Sequence, residues 1–324
     1  MKRLIKPAGK FNLELEEVPI PAPGADEVRI KAVRSLISRG SEMGGRYTRE
    51  HAVDPQRMGY SMAGIIDTVG PGVTHLAPGA RVVAIAPHAE YTICAAPAGN
   101  LRDQPRVMAI PDEVDFDRAP YYSLSAGSVT WVGIEQSGPS DTVAVLGQGL
   151  VGSLMMQVMK ANGHGFIIAV DALDSRCELA AKLGADRVIH AGEEDPVAAV
   201  RKLTYGAGAD PVVYAVGGPA GPKAFDQGLD MVAVDGTLHL IGLYEDADLS
   251  MPSAKIQRRR IIGGYYGTTI GMSSDRRTIE LLASGAIDTE QMTTHCFPYT
   301  DAADAFDLLW NRPGEALGVV LEWD

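Results

Sequence analysis

Apolar residues along this chain fall into two textures. Over residues 1 to about 120 they come as short alternating runs at 13–19, 27–33, 63–69, 81–86 and 91–95, separated by turns such as Pro19-Ile20-Pro21-Ala22-Pro23-Gly24 and Val69-Gly70-Pro71-Gly72. Period-two alternation with Gly and Pro punctuation predicts a compact β-rich module. From Val143 onward, continuous apolar runs at 143–146, 166–170, 187–189, 212–216, 238–242 and 261–265 suit strands buried on both faces, with helical segments between them. Strand alternating with helix predicts an α/β fold with a doubly wound parallel sheet. The alternation stops near Tyr266. Capped amphipathic helices over 274–284 and 301–310 and a closing strand over 317–323 complete the pattern.

The stretch from Thr142 to Asp171 carries the clearest chemistry. Its first apolar run ends at Gly147, and Gly147, Gly149 and Gly152 make G-x-G-x-x-G. The first glycine allows a tight turn, the second lets backbone approach a pyrophosphate, and the third lets helix pack on strand. Leu150 and Val151 open the helix, whose unpaired N–H groups and dipole favour phosphate. Leu150, Val151, Leu154, Met155, Val158 and Met159 supply its apolar stripe. Asp171 follows the next strand, roughly twenty residues past the third glycine, where a ribose-binding acid belongs. A carboxylate there accepts from the ribose hydroxyls and repels a 2′-phosphate, favouring NAD(H) over NADP(H). Asp171 also reads as a turn or cap residue, although Asp174 and Ser175 offer caps for a helix over 176–183. Arg176 either joins Asp171 at the hydroxyls or accommodates a phosphate.

Composition narrows the partners. A chain of 324 residues that is 46% apolar can bury a large core in about two domains. Its formal charge of −12 gives no electrostatic footprint for nucleic acid, and Arg258-Arg259-Arg260 is its longest basic run. No segment reads as a signal peptide or membrane helix, and Cys94, Cys177 and Cys296 are too few and too scattered for a disulfide framework. The expectation is a cytoplasmic protein acting on a small molecule.

The order of parts resembles the medium-chain dehydrogenase/reductase superfamily. The likeness rests on GYSMAGIIDTVGPGVTHLAPGARV (59–82), on GQGLVG with VDALDSR and KLGADRVI, and on TDAADAFDLLWNRPGEALGVVLEW, and it spans essentially the whole chain. It implies a discontinuous GroES-like catalytic domain, residues 1–122 and 267–324, and a Rossmann domain, residues 123–266. It also implies a homodimer joined at the strand over 261–265.

Zinc-dependent members of that family carry a cysteine, a histidine and a further Cys or Glu where this chain has Ser38, Tyr60 and Tyr122. None of these is a usual zinc ligand. The four-cysteine structural lobe has only Cys94 near its place. The resemblance therefore implies a zinc-independent member, in which a side chain protonates the oxygen that gains charge. Tyr60 is the first candidate, with simple packing as the equal alternative. Ser38 reads as a carbonyl-positioning hydroxyl or a cap, His88 as a proton relay or a turn histidine, and Glu42 as a base or a solvated loop carboxylate. Arg39 matches a basic residue that pairs with the cofactor pyrophosphate in the family. Tyr265 and Tyr266 fall beside the nicotinamide by the same comparison.

Three functions compete. The first is an NAD(H)-dependent alcohol dehydrogenase or carbonyl reductase without zinc. The second is a quinone or enoyl reductase acting on an activated C=C, disfavoured by Asp171 and by Ser38-Arg39-Gly40-Ser41 in place of N-P-x-D. The third is a non-catalytic dinucleotide-binding protein.

Overall fold

In a computed structural model of the chain, which describes residues 1–96, 107–135, 137–243, 247–264 and 272–323, the two textures fold as two units. The first comprises Met1–Ala126, Gly267–Gly285 and Met292–Asp324, and the second Gly127–Tyr266 and Ala286–Gln291. The strands run in chain order as β1 (Lys2–Ile5), β2 (Glu14–Glu17), β3 (Glu27–Ile37), β4 (Met62–Val69), β5 (Arg81–Ala84), β6 (Tyr91–Ala95) and β7 (Val107–Ala109). Next come β8 (Thr142–Leu146), β9 (Phe166–Asp171), β10 (Arg187–His190), β11 (Val212–Tyr214), β12 (Thr237–Leu240) and β13 (Arg260–Gly263), and finally β14 (Thr293–Pro298) and β15 (Gly318–Glu322).

In the first unit, β1 pairs with β2, and a larger sheet runs β14-β15-β3-β4-β5-β7 with β6 also paired to β3. Along β3, Val28, Ile30 and Ala32 alternate into a core shared with Ile66, Val82, Phe306, Leu309 and Leu321. The alternation ends at Ser35. From there Ser35, Leu36 and Ile37 are all buried, where β15 lies antiparallel against the strand. Phe306 and Leu309 belong to a C-terminal helix, Ala302–Asn311, and each such buried side chain contributes about 1.5–3 kcal/mol. After β3 the chain enters a π-helical stretch, Arg39–Tyr47, whose sequence RGSEMGGRY gives no periodic apolar stripe and was not expected to be helical.

The second unit is the doubly wound sheet. Its six strands are all parallel in the order β10-β9-β8-β11-β12-β13, so the connection reverses direction between β8 and β11. Open α/β sheets bind ligands outside the strand carboxyl ends at such a reversal. The helices are α1 (Tyr122–Glu135), α2 (Leu150–Ala161), α3 (Asp174–Lys182), α4 (Pro196–Leu203), α5 (Gly221–Met231) and α6 (Ser253–Ile256), followed in the first unit by α7 (Met272–Ala283) and α8, the C-terminal helix already given. At the end of α1, Glu135 Oε1 meets His239 Nδ1 of β12 at 2.6 Å, both side chains fully buried.

Two expectations about boundaries change. The first unit reaches Ala126, inside α1, and Ala286–Gln291 belongs to the second unit, where the Asp288 N–H donates to Gln157 Oε1 of α2 at 2.7 Å. The edge strand β13 ends at Gly263, and Tyr265 and Tyr266 lie outside the described residues. Among the described residues, no helix is long and apolar enough to cross a membrane.

Candidate functional site

The glycine turn sits at the sheet's reversal point. Gly147 takes φ +88°, and a Cβ there would lie 2.8 Å from the carbonyl oxygen of Ala215, just past β11. Gly152 is pressed against the Gly147 carbonyl oxygen, which leaves no room for any side chain. Gly149 differs from both. A Cβ there would meet nothing within 4 Å, and Gly149 is the N-cap of α2 with no side-chain cap. The first-turn N–H groups, beginning with Leu150 and Val151, are therefore left for a ligand. Gln148 Oε1 is buried beside them without a hydrogen-bond partner. An open space over Gly149 and an uncapped twelve-residue helix fit a dinucleotide pyrophosphate, whereas the orphaned Gln148 oxygen, an acceptor, would need a hydroxyl or water as its partner.

Asp171 ends β9 next to this turn. Its Oδ2 accepts from the Gln148 N–H at 2.6 Å, and its Oδ1 from Ala172 and Leu173 at 2.7 and 3.0 Å. The carboxylate thus ties the glycine turn to the start of α3. This corrects the expected capping: α3 begins at Asp174 with Leu173 as its N-cap, a side chain with no acceptor, and Asp171 bonds the two N–H groups just before the helix. Oδ1 is filled by its two backbone donors, while Oδ2 keeps a lone pair for a ribose hydroxyl. Arg176, in the first turn of α3, is only 6% exposed.

The remaining candidates gather in the first unit. Tyr60 donates its phenol O–H to Ser38 Oγ at 2.6 Å. Ser38 stands at the N-cap of the π-helical stretch without a side-chain cap bond, and its N–H donates to Glu42 Oε1, four residues on, at 2.8 Å. The other oxygen of Glu42 meets His88 Nε2 at 3.0 Å. His88 Nδ1 in turn lies 2.7 Å from Ser35 Oγ, which accepts from Trp323 Nε1 at 2.8 Å. Donor counting orients this chain. A carboxylate only accepts, so Nε2 carries a proton, and in the neutral imidazole Ser35, accepting from the indole, donates to Nδ1. Every polar atom of Ser35, His88 and the Glu42 carboxylate is thereby engaged.

Glu42 and His88 have no exposed side-chain surface. They correct the expectation of a solvated loop carboxylate and a turn histidine, since both stand behind Ser38 and hold it. Gly59 makes the arrangement possible, taking φ +100° where a Cβ would press into the His88 ring. Tyr60 remains half-buried, and burial, the largest cause, pushes its phenol up to about 12. The Glu42 charge pushes the same way, while Ser38, Ser41 and the Arg46 cation pull it down. Arg39 is exposed, and its Nε donates to the Leu309 carbonyl at 3.1 Å, so one face of its guanidinium is spent on α8.

The chain matches the family described as zinc-binding dehydrogenase over residues 151–284. It is 29% identical to the L-threonine 3-dehydrogenase of Bacillus subtilis (strain 168), with 99% of this chain and 98% of that protein covered. It is 27% identical to the sorbitol dehydrogenase of the same organism, covering 95% and 94%. The alcohol dehydrogenase TADH from Thermus sp. ATN1 superposes with a TM-score of 0.84 at 24% identity, covering 99% of both chains. An Escherichia coli CFT073 alcohol dehydrogenase complexed with NADH superposes at 0.81 with 22% identity, again over 99% of both. The chain is thus similar in sequence to dehydrogenases over nearly its whole length, and it shares the fold of solved alcohol dehydrogenases.

Zinc is the resident metal that the family's description implies. The matched residues, 151–284, do not include Ser38, Tyr60 or Tyr122. At those positions the donor set does not fit: Ser38 and Tyr60 are bonded to each other, Tyr122 donates to Asp275 at 2.8 Å, and a phenol near 12 holds its proton. Zinc takes thiolate, neutral imidazole or carboxylate. Glu42 and His88 have suitable atoms but bind one another, and the described residues contain no group of three His, Cys, Asp or Glu able to hold a metal.

Ser35 and Trp323 escaped the sequence reading. One lies inside a strand and the other next to the chain's last residue, and no local pattern links them. Glu42 stands one residue beyond the S-x-x-E spacing of a capping box, so the local pattern did not mark its bond to the Ser38 N–H.

Proposed function

We propose that the protein transfers hydride between NAD(H) and an alcohol or carbonyl substrate without zinc, with Tyr60 managing the proton. The Tyr60–Ser38 hydroxyl pair carries this reading, because it stands where the resemblance puts metal ligands and rests on a fully bonded support. Relatives named for dehydrogenating threonine and sorbitol support the alcohol class of substrate.

When bound, the nicotinamide supplies or accepts the hydride at the substrate carbon. The N-terminus of α2, opened by Leu150 and Val151, and the space over Gly149 hold the pyrophosphate. Asp171 faces the ribose hydroxyls, and its charge opposes a 2′-phosphate. In reduction, Tyr60 gives its proton to the oxygen that gains charge, either directly or by passing it through Ser38 while Ser38 hands on its own. In oxidation the same oxygens take the proton back. Glu42 and His88 touch neither partner and act as positioning residues. Their bonds fix Ser38, and the Glu42 charge helps keep the Tyr60 phenol protonated at neutral pH. A homodimer joined along β13, an edge strand of the second unit, belongs to the same proposal.

Tyr60→Phe removes the hydroxyl, with its proton and its bond to Ser38, and keeps the ring. It should lower kcat by about tenfold or more, roughly 1.4 kcal/mol of barrier, with the NADH dissociation constant unchanged. Wild-type turnover should survive dialysis against a chelator. An unaltered rate in Tyr60→Phe, or activity lost to chelation and restored by zinc, removes the proposal.

A further inference from the structure

Among the described residues, Arg46 is the charged group acting on Tyr60 that the mechanism above leaves unused. It lies on the π-helical stretch after Ser38, with its guanidinium carbon 5.9 Å from the centroid of the Tyr60 ring. Cation and ring at that separation attract, which fixes the guanidinium beside the phenol. Its Nη1 is shut away from solvent and has no hydrogen-bond partner. No carboxylate of the described residues pairs with it, although the chain carries 41 acidic residues against 29 basic ones. Glu42 and Glu50 each lie four residues from it; Glu42 gives both oxygens to Ser38 and His88, and Glu50 makes no ion pair with it.

A half-buried guanidinium that has lost water at one nitrogen without gaining an acceptor is costly, because a desolvated charged donor pays its full penalty until something accepts from it. In proteins such a cation is usually matched by an acid. Among the described residues no acid around Tyr60 matches it, which leaves an incoming ligand to supply one. The rigid fork of arginine suits two parallel hydrogen bonds to a carboxylate. One cation, with the Glu42 carboxyl group nearby, suits a monoanion better than a phosphate dianion.

We infer that Arg46 is the specificity determinant for a substrate carrying a carboxylate, held so that its reacting oxygen reaches Tyr60 and Ser38. The inference rests on the hydride-transfer reading above for its choice of reacting oxygen. It narrows the substrate class to hydroxy or oxo compounds with a carboxylate a few bonds from the reacting carbon.

Two arms test it on the full chain loaded with NADH. In the first, isobutyrate and isobutyramide, alike in shape but differing in charge, are titrated against the wild type, Arg46→Gln and Arg46→Lys by thermal shift. The wild type should bind isobutyrate about tenfold or more tighter than the amide. Arg46→Gln should erase that preference without moving NADH affinity, and Arg46→Lys should restore part of it. Equal binding of the two probes by the wild type, or a preference that survives Arg46→Gln, overturns the inference; the wild-type comparison does so even if a variant fails to fold. In the second arm, NADH-dependent reduction of 4-oxopentanoate and 2-pentanone is compared. Equal turnover of both ketones, unchanged in Arg46→Gln, defeats the carboxylate subsite and leaves the redox reading intact. No turnover of either, with the isobutyrate preference present, defeats the redox reading and leaves the subsite.

Discussion

Glu42 Oε2 lies 3.0 Å from His88 Nε2, with neither side chain reaching solvent. His88→Ala would leave a buried carboxylate with Ser38 N–H as its one remaining donor and strand the Ser35 hydroxyl. Urea unfolding should show a loss of about 2–4 kcal/mol. Glu42→Gln should cost less, since the imidazole can move its proton to Nδ1, donate to Ser35 and accept from the new amide. Equal stability of His88→Ala and wild type would show that the chain of bonds is idle.

The glycine turn separates binding from folding. Gly149→Ala adds a methyl that meets no protein atom and needs no unusual backbone, as φ there is −70°. Its melting temperature should match wild type while NADH affinity falls by about tenfold, measured by fluorescence titration. Gly152→Ala drives a methyl into the Gly147 carbonyl and should cost about 1–3 kcal/mol of stability. A Gly149→Ala protein that binds NADH normally would mean that the pyrophosphate lies elsewhere.

Nucleotide choice follows from Asp171. The wild type should bind NADH about tenfold or more tighter than NADPH, because a 2′-phosphate would face a fixed carboxylate. Asp171→Asn keeps an acceptor for the turn and should narrow the ratio mainly by improving NADPH. Tighter NADPH binding by the wild type would hand the decision to Arg176.

The Tyr60 phenol gives a pH signature. Its folded value of about 12 lies above the ordinary 10, so the neutral form is favoured by folding. That contribution is complete below pH 10 and is lost as pH rises through 12. Over this window the wild type should lose stability more steeply than Tyr60→Phe, whereas Cys94, also pushed up to about 12, contributes equally to both proteins. Reduction by the wild type should accordingly show no loss of rate from Tyr60 ionisation below about pH 10. Parallel stability curves for the two proteins would place the phenol in an ordinary environment.

Where chemistry is written into consecutive residues, the chain could be read directly. Val143 to Asp171 is such a case, because strand burial, the glycine turn and the acid are all local, and their spacing alone predicts the parallel sheet and its turn. The π-helical stretch was illegible for the opposite reason: its glycines leave no stripe, and its start is secured by Glu42, which is itself held from β3 and the loop after β5.

Residue types and periodicity therefore determined the α/β architecture, the place of the dinucleotide turn and the unusual hydroxyls at positions 38 and 60. Tertiary structure alone decided what those hydroxyls rest on. The line from Trp323 through Ser35, His88 and Glu42 to Ser38 and Tyr60 joins residues up to 288 positions apart. Hydrogen-bond partners so distant are chosen by how β3, β15 and the loops pack, and packing leaves no periodic trace in the chain.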